Sequence, residues 1–261
     1  MNGLNLPPSL RDLVRAAPSV LTPKSLNDLF ALAAGVPDEN PFEVAYDVPG
    51  KGRVVEATVA RCRNGLAVNY PDPYMRRRDP DSMVVADDLP TDKPRYQQRF
   101  QKLFAPLREE ILAWLATQDL VLVPFYAGGP ALGYGAVMVA PANAAFFAAA
   151  LAHLQGIIPA DELREDFEAR AVVYVAPPFR HTHCDGRQVV VHHRNERLHE
   201  VFALNLYPGP SAKKGVYGIL LSLGEAEGWV TLHGSTVEVI TPYDNILTLM
   251  HEGASGGGKS E

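Results

Sequence analysis

The feature that most constrains this chain lies near its C-terminal end. Residues Gly253-Ala254-Ser255-Gly256-Gly257-Gly258-Lys259-Ser260 fit the pattern G-x-x-x-x-G-K-[ST]. Glycines let consecutive backbone N–H groups turn inward and cradle phosphate oxygens. The Lys brings charge to the outer phosphates, and the Ser hydroxyl can ligate Mg²⁺. The pattern works only between a strand and a helix. The apolar run Ile246 to Met250 supplies the strand, while the sequence stops at Glu261, one residue past the motif. A flexible Gly/Ser tail matches the same letters without binding anything. If the motif is real, the helix whose N-terminal dipole helps hold a phosphate lies elsewhere. The expectation is then a piece of a longer protein, without catalysis of its own.

Upstream, hydrophobic periodicity predicts a mixed α/β (α+β) chain with antiparallel hairpins. Helices are expected over Leu10–Ala16, Ser25–Ala34, Leu107–Thr117, Ala142–Leu154, Asp161–Arg170 and Lys213–Leu223. Ser25 and Ser211 are the N-cap candidates, and Gly35 can end the second helix. Strands are expected over Arg53–Arg61, Leu66–Tyr70, Leu120–Phe125, Ala136–Val139, Ala171–Val175, Gln188–His192, Glu200–Leu206, Trp229–His233 and Thr236–Ile240, with a short apolar run at Met83–Ala86. Pro71–Pro80 reads as a loop. Two domains are expected, residues 1–226 and the start of a nucleotide-binding domain over 227–261.

The residues before the glycine-rich motif narrow the reading. Tyr207-Pro208-Gly209-Pro210-Ser211-Ala212-Lys213-Lys214-Gly215 is followed by Leu220-Leu221, then Leu232-His233-Gly234-Ser235, then a strand and the motif. In order and approximate spacing this resembles ATP-dependent phosphoenolpyruvate carboxykinase. That family carries Tyr-x-Gly-Glu-Met-Lys-Lys-Gly, a helix, Met-His-Cys-Ser-Ala, and a strand leading into Gly-x-Ser-Gly-x-Gly-Lys-Thr. Weaker matches lie upstream. Arg78-Asp79-Pro80 through Val84-Val85 and Asp88 is similar to Gly-Arg-Ser-Pro-Lys-Asp-Lys. Leu120–Gly129 is similar to the family's Leu-Phe-Val-Val-Asp-Ala-Phe-x-Gly-Ala, and Ala176-Pro177-Pro178-Phe179 to Ala-Pro-Ser-Phe. The likeness is that of a distant relative and runs from about residue 70 to the end.

The resemblance implies ATP-dependent conversion of oxaloacetate to phosphoenolpyruvate, with ATP, Mg²⁺ and Mn²⁺ as cofactors. Gly253, Ser255, Gly256, Gly257, Gly258 and Lys259 would hold the nucleotide, and Ser260 its Mg²⁺. Lys214 and His233 would be metal ligands. An amine must be neutral to ligate, so Lys214 needs its pKa driven far below the usual value of about 10.4, which Lys213 and the metal would both favour. The family's third ligand, an Asp, falls beyond Glu261. Arg78 would clamp a substrate carboxylate, with Arg76 and Arg77 as register alternatives. Lys213 and Tyr207 would complete the catalytic set. The departures are Gly-Pro-Ser-Ala in place of Gly-Glu-Met before the Lys pair, Asp81-Ser82-Met83 in place of Lys-Asp-Lys, and Lys-Ser-Glu at the end of the motif. They bear on the substrate more than on the nucleotide.

Two other readings stay open. The glycine-rich loop also resembles that of the bacterial kinase that phosphorylates the phosphocarrier protein HPr on a serine. Such a kinase needs neither Arg78 nor the Lys214/His233 pair. A relative that binds nucleotide without turnover is the other. His181, His183 and Cys184, with His192 and His193 nearby, have spacing that could suit zinc, on an expected hairpin turn tipped by Asp185-Gly186. The formal charge is −6, from 24 basic and 30 acidic residues. That balance argues against a general nucleic-acid or membrane binder. The two cysteines, Cys62 and Cys184, make no disulfide framework. Met1–Arg15 lacks an apolar core of signal-peptide length, so a cytoplasmic location is expected. The Ala-rich stretch from Ala136 to Leu154 reads as a buried strand running into a helix.

Overall fold

A computed structural model describes residues 4–35, 39–71, 82–131, 133–155, 162–208, 214–232 and 234–253. The chain divides into two compact units, Met1–Leu223 and Gly224–Glu261. The first is built on a seven-stranded mixed sheet of strands β1 (Val20–Leu21), β5 (Met83–Val85), β6 (Leu120–Ala127), β7 (Tyr134–Pro141), β8 (Ala171–Val175), β9 (Val189–Arg194) and β10 (His199–Leu204). Their order is β1-β6-β7-β8-β10-β9-β5. β7, β8 and β10 run parallel to one another, and β6 and β9 run antiparallel to them.

Continuous apolar runs make these strands because both faces of the sheet are covered. Val121, Val123 and Phe125 point to one core, and Leu120, Leu122 and Tyr126 to the other. β8 and β10 divide in the same way, Val173, Val175, Val201 and Ala203 against Val172, Tyr174, Phe202 and Leu204. The first core is closed by helices α2 (Leu26–Ala33), α5 (Ala145–Gln155) and α7 (Lys214–Ala226), together with an antiparallel meander of β2 (Phe42–Val48), β3 (Gly52–Cys62) and β4 (Gly65–Asn69). The second is closed by α1 (Pro8–Ala16), α3 (Tyr96–Phe100) and α4 (Phe104–Leu115). α5 is apolar on nearly every side, as a helix buried between sheet and neighbours must be. Ser25 caps α2, its Oγ accepting from the Asp28 amide at 3.1 Å, and Gly35 follows at φ +65°.

A buried ion pair ties the meander to α6 (Phe179–His183). Glu56 of β3 and Arg180 are 2% and 1% exposed, with Arg180 Nη2 2.8 Å from Glu56 Oε2. His181 Nε2 lies 2.6 Å from Glu56 Oε1. Among the described residues no helix is long and apolar enough to cross a membrane. In the second unit, β11 (Gly234–Ile240) and β12 (Ile246–Glu252) form an antiparallel hairpin. Its turn is closed by the Thr241 amide donating to the Asn245 carbonyl.

Three expectations are corrected. The charged segment expected as a helix over Asp161–Arg170 is irregular over residues 162–170. Phe167 and Ala169 are pulled into the core, and the amides of Ala169 and Arg170 go to the carbonyls of Asn5 and Gly135 instead of a helical ladder. Residues 229–232 are not a strand, because the ladder of β11 begins at Gly234. The His181–Cys184 segment is not a hairpin turn. It is α6 and its C-terminal cap, with the tight turn following at Asp185 and Gly186, φ 54° and 77°.

Candidate functional site at one end of the central sheet

The strand directions collect different segments at the two ends of the sheet. At one end β7, β8 and β10 finish, while β5, β6 and β9 begin. Met83 of β5 is in register with Val190 of β9, Val190 with Ala203 of β10, and Ala203 with Val175 of β8. Arg78 stands five residues before Met83 in the sequence, and Tyr207 four residues after Ala203. In chain order Arg78 thus precedes β5 and Tyr207 follows β10.

Tyr207 is held there by neighbours on both sides. Asn205, 3% exposed, donates from Nδ2 to the Val189 carbonyl at 3.2 Å and accepts from the Tyr207 amide at 2.8 Å. Tyr70, just past β4, donates its hydroxyl to the Leu206 carbonyl at 2.9 Å. Its ring meets that of Tyr207 edge-on, with centroids 5.6 Å apart. Burial, and then the neighbouring Tyr207, push the Tyr70 hydroxyl well above its usual range, so it serves as a neutral donor. Tyr207 itself stays half-buried. Helix α7 begins a few residues on, at Lys214.

Of the expected site residues, Tyr207 is described in full. Lys214 is the first residue of α7, and its side chain lies outside the described residues, as do Arg78, Lys213, His233, Ser255, Gly256, Gly257, Gly258, Lys259 and Ser260. Gly253 directly follows β12, so a strand does precede the glycine-rich motif. The amine of Lys214, the imidazole of His233 and the hydroxyl of Ser260 suit a divalent ion in kind, as nitrogen and oxygen donors.

The histidines and cysteine with zinc-like spacing are not brought together. His181 is taken by Glu56, and His183 Nδ1 lies 2.8 Å from Thr182 Oγ1. Cys184 is buried, and burial pushes its thiol up to about 12. His192 and His199 pair with each other. Among the described residues no group of three His, Cys, Asp or Glu side chains could hold a metal ion.

The opposite end of the sheet carries a charge cluster that sequence reading missed. Arg108 of α4 grips Glu200 of β10 with two bonds, Nε to Oε2 at 2.8 Å and Nη2 to Oε1 at 2.7 Å. His193 Nδ1 lies 3.0 Å from the same carboxylate. Burial raises the Glu200 carboxyl, but the hydrogen bonds from His193 and Arg108 outweigh it, and the group titrates below the usual carboxylate range. Arg194 grips Asp87 through Nε at 3.0 Å and Nη2 at 2.8 Å. Beside them is a cavity of about 450 Å³ walled by Asp88, Arg95, Phe104, Arg108 and His193. On the other face, His192 and His199 are 3% and 1% exposed, Nδ1 to Nε2 at 2.8 Å. Burial drives both pKa values down, His192 to about 4. α7 crosses them at Gly218, where a Cβ would meet the His192 ring at 2.8 Å. The only sequence signal was a polar residue breaking each apolar strand. Nothing in it names Arg108, 92 residues away, as the partner of Glu200.

A family model described as Domain of unknown function (DUF4914) matches residues 6–261. No curated protein matches the chain.

Proposed function

The chain belongs to the DUF4914 family, and we propose that it contributes the substrate side of a phosphoenolpyruvate carboxykinase-like enzyme. The intact protein would convert oxaloacetate and ATP to phosphoenolpyruvate, CO₂ and ADP. The observation that carries this reading is the register of β5, β9 and β10. It puts the start of β5 at Met83, five residues after Arg78 in the sequence, and the end of β10, three residues before Tyr207, at one end of one sheet. A carboxykinase needs those residues around a single small molecule. β12 running into Gly253 supplies the strand that a phosphate-cradling loop requires.

The roles follow from the chemistry. Arg78 holds a carboxylate of the substrate through its planar fork. Tyr207, fixed by Asn205 and Tyr70, lines the pocket and orients the acid. Lys213 supplies positive charge where the enolate develops after CO₂ leaves. The glycine-rich loop and Lys259 would hold the nucleotide phosphates, the outermost phosphoryl group passing to the enolate oxygen as ADP leaves. Lys214, His233 and Ser260 are the residues that would hold divalent ions, whose contribution is to neutralise developing negative charge.

The second reading, a kinase with another acceptor, also rests on β12 and the loop, and one experiment separates the two. In the intact protein with ATP and Mn²⁺, Arg78→Gln and His233→Ala should each lower oxaloacetate-dependent CO₂ release at least a hundredfold. Lys259→Ala should abolish nucleotide binding. ATP turnover that survives Arg78→Gln and His233→Ala, with no CO₂ released by the unaltered protein, would assign the site to another acceptor.

A further inference from the structure

Two adjoining cavities lie outside the proposed chemistry, on the face of the sheet covered by α2, α5 and the meander. They have volumes of about 430 and about 310 Å³ and share Phe30, Asn64, Gly65 and Leu66 in their walls. Both fall in the size range of small-molecule sites, roughly 300–1,000 Å³. The outer one continues to Ala31, Ala34 and Arg61. The inner one continues to Val68, Phe146, Ala149 and Ala150, and ends at Tyr70 and Pro208.

The chemistry of the walls is one-sided. Side chains of Phe30, Leu66, Val68 and Phe146 give an apolar channel with a rigid aromatic at each end. The polar groups are Arg61, Asn64, His153 and Tyr70, and the Tyr70 hydroxyl is already committed to the Leu206 carbonyl. Among the described residues neither wall carries an Asp or Glu, in a chain with 30 acidic and 24 basic residues. Arg61 is exposed and uses Nη2 on the Gly35 carbonyl at 3.2 Å, while its backbone amide donates to Asn40 Oδ1 at 2.7 Å. The backbone at Arg61 is thus pinned, and the remaining guanidinium edge has no hydrogen-bond partner among the described residues. A channel with apolar walls, a guanidinium at one end and no opposing acid among the described residues selects a molecule with an apolar body and one anionic head.

We propose that this channel binds a monocarboxylic acid with a hydrocarbon chain, its carboxylate on Arg61 and Asn64 and its tail toward Phe146 and Val68. The inner cavity, about 310 Å³, has room for a tail of eight carbons at about 30 Å³ for each non-hydrogen atom. Octanoate is therefore the probe, with octanol as its neutral and octylamine as its cationic counterpart. The assignment does not rest on the carboxykinase reading. The two regions are neighbours, since Pro208 follows Tyr207 and Tyr70 touches both.

Titration calorimetry on the protein, below the micelle threshold of each probe, tests it. Octanoate should bind at least tenfold more tightly than octanol or octylamine. Arg61→Gln, at an exposed position where folding is not at risk, should lower octanoate affinity about tenfold and leave octanol unchanged. That is the loss of one charge-assisted hydrogen bond. Ala150→Phe should weaken octanoate and octanol alike by filling the inner cavity. Equal affinities for the three probes, no binding of octanoate, or an Arg61→Gln protein that binds octanoate as well as the unaltered one would each overturn the assignment. Phosphoenolpyruvate formation plays no part in any of these readouts, so they can fail or succeed independently of the proposed activity.

Discussion

The two ends of the central sheet are built from the same strands and do opposite things with their polar groups. At the end where β9 finishes and β10 begins, polar side chains are turned on one another. Glu200 is taken by Arg108 and His193, Asp87 by Arg194, and His192 by His199. At the other end, Asn205 and Tyr70 spend their hydrogen bonds on the backbone around Tyr207 and leave its side chain half-buried. The first arrangement is what a fold does with polar residues that its topology has buried: it pairs them, because an unpaired buried charge costs several kcal/mol. In the second, neighbours fix the backbone, and the Tyr207 hydroxyl has no hydrogen-bond partner among the described residues, as the proposed role in a site requires.

The largest effect that would break the comparison is at Glu200. Glu200→Ala leaves Arg108 without its buried partner and should lower stability by about 3 kcal/mol, the low end for a broken buried pair, since Arg108 keeps some solvent. Denaturant unfolding measures it. A loss under about 1 kcal/mol would mean that this end is not held by its charge pairs.

Acid should act on the same end. His192 titrates near 4 when folded and near 6.5 when unfolded. The unfolded chain therefore binds the extra proton first, and stability falls as pH drops from about 6.5 toward 4. Glu200 adds to the loss at lower pH, since its folded pKa is depressed and its stabilising effect disappears as the carboxylate protonates. Thermal unfolding at stepped pH should give a falling melting temperature across that window, and His192→Phe, if it folds, a shallower one. A flat profile in the unaltered protein would contradict the buried neutral pair.

Smaller effects belong to the Tyr207 end and to the periphery. Tyr70→Phe removes one hydrogen bond to the Leu206 carbonyl and should cost about 1 kcal/mol. It should also loosen Tyr207, seen as faster amide exchange at residues 205–207 with unchanged exchange at 199–201. Ser25→Ala, which removes the α2 cap, should cost roughly 0.5–1 kcal/mol and leave both ends as they are.

The regular fold was legible where periodicity is local. The apolar runs of β6, β8 and β10, the strand at Arg53–Arg61 and the Ser25 cap all lie within a few residues of what they determine. β2 was not anticipated, although Val44, Tyr46 and Val48 alternate with Glu43, Ala45 and Asp47. Asp161–Arg170 looked helical because its charges have helical spacing, but Phe167 and Ala169 are anchored by the core. The same limit governs the site. Tyr207, the Lys pair and the glycine-rich loop are candidates from sequence because each belongs to a contiguous motif. The pairings Glu200–Arg108 and Glu56–Arg180 span 92 and 124 residues, and a linear pattern holds no trace of them. His181, His183 and Cys184 show the converse, a metal-like spacing scattered by a short helix: His181 meets Glu56, His183 meets Thr182 and Cys184 is buried in the apolar core.

The most direct test of the account is to add oxaloacetate to the isotopically labelled protein and follow backbone amide shifts. The account predicts perturbations at Met83 and at Asn205–Tyr207, where β5 begins and β10 ends, with His193, Arg194 and Glu200 unmoved. Perturbations centred on His193 and Glu200 would place the ligand at the wrong end of the sheet and contradict it, as would none at any concentration up to the millimolar range.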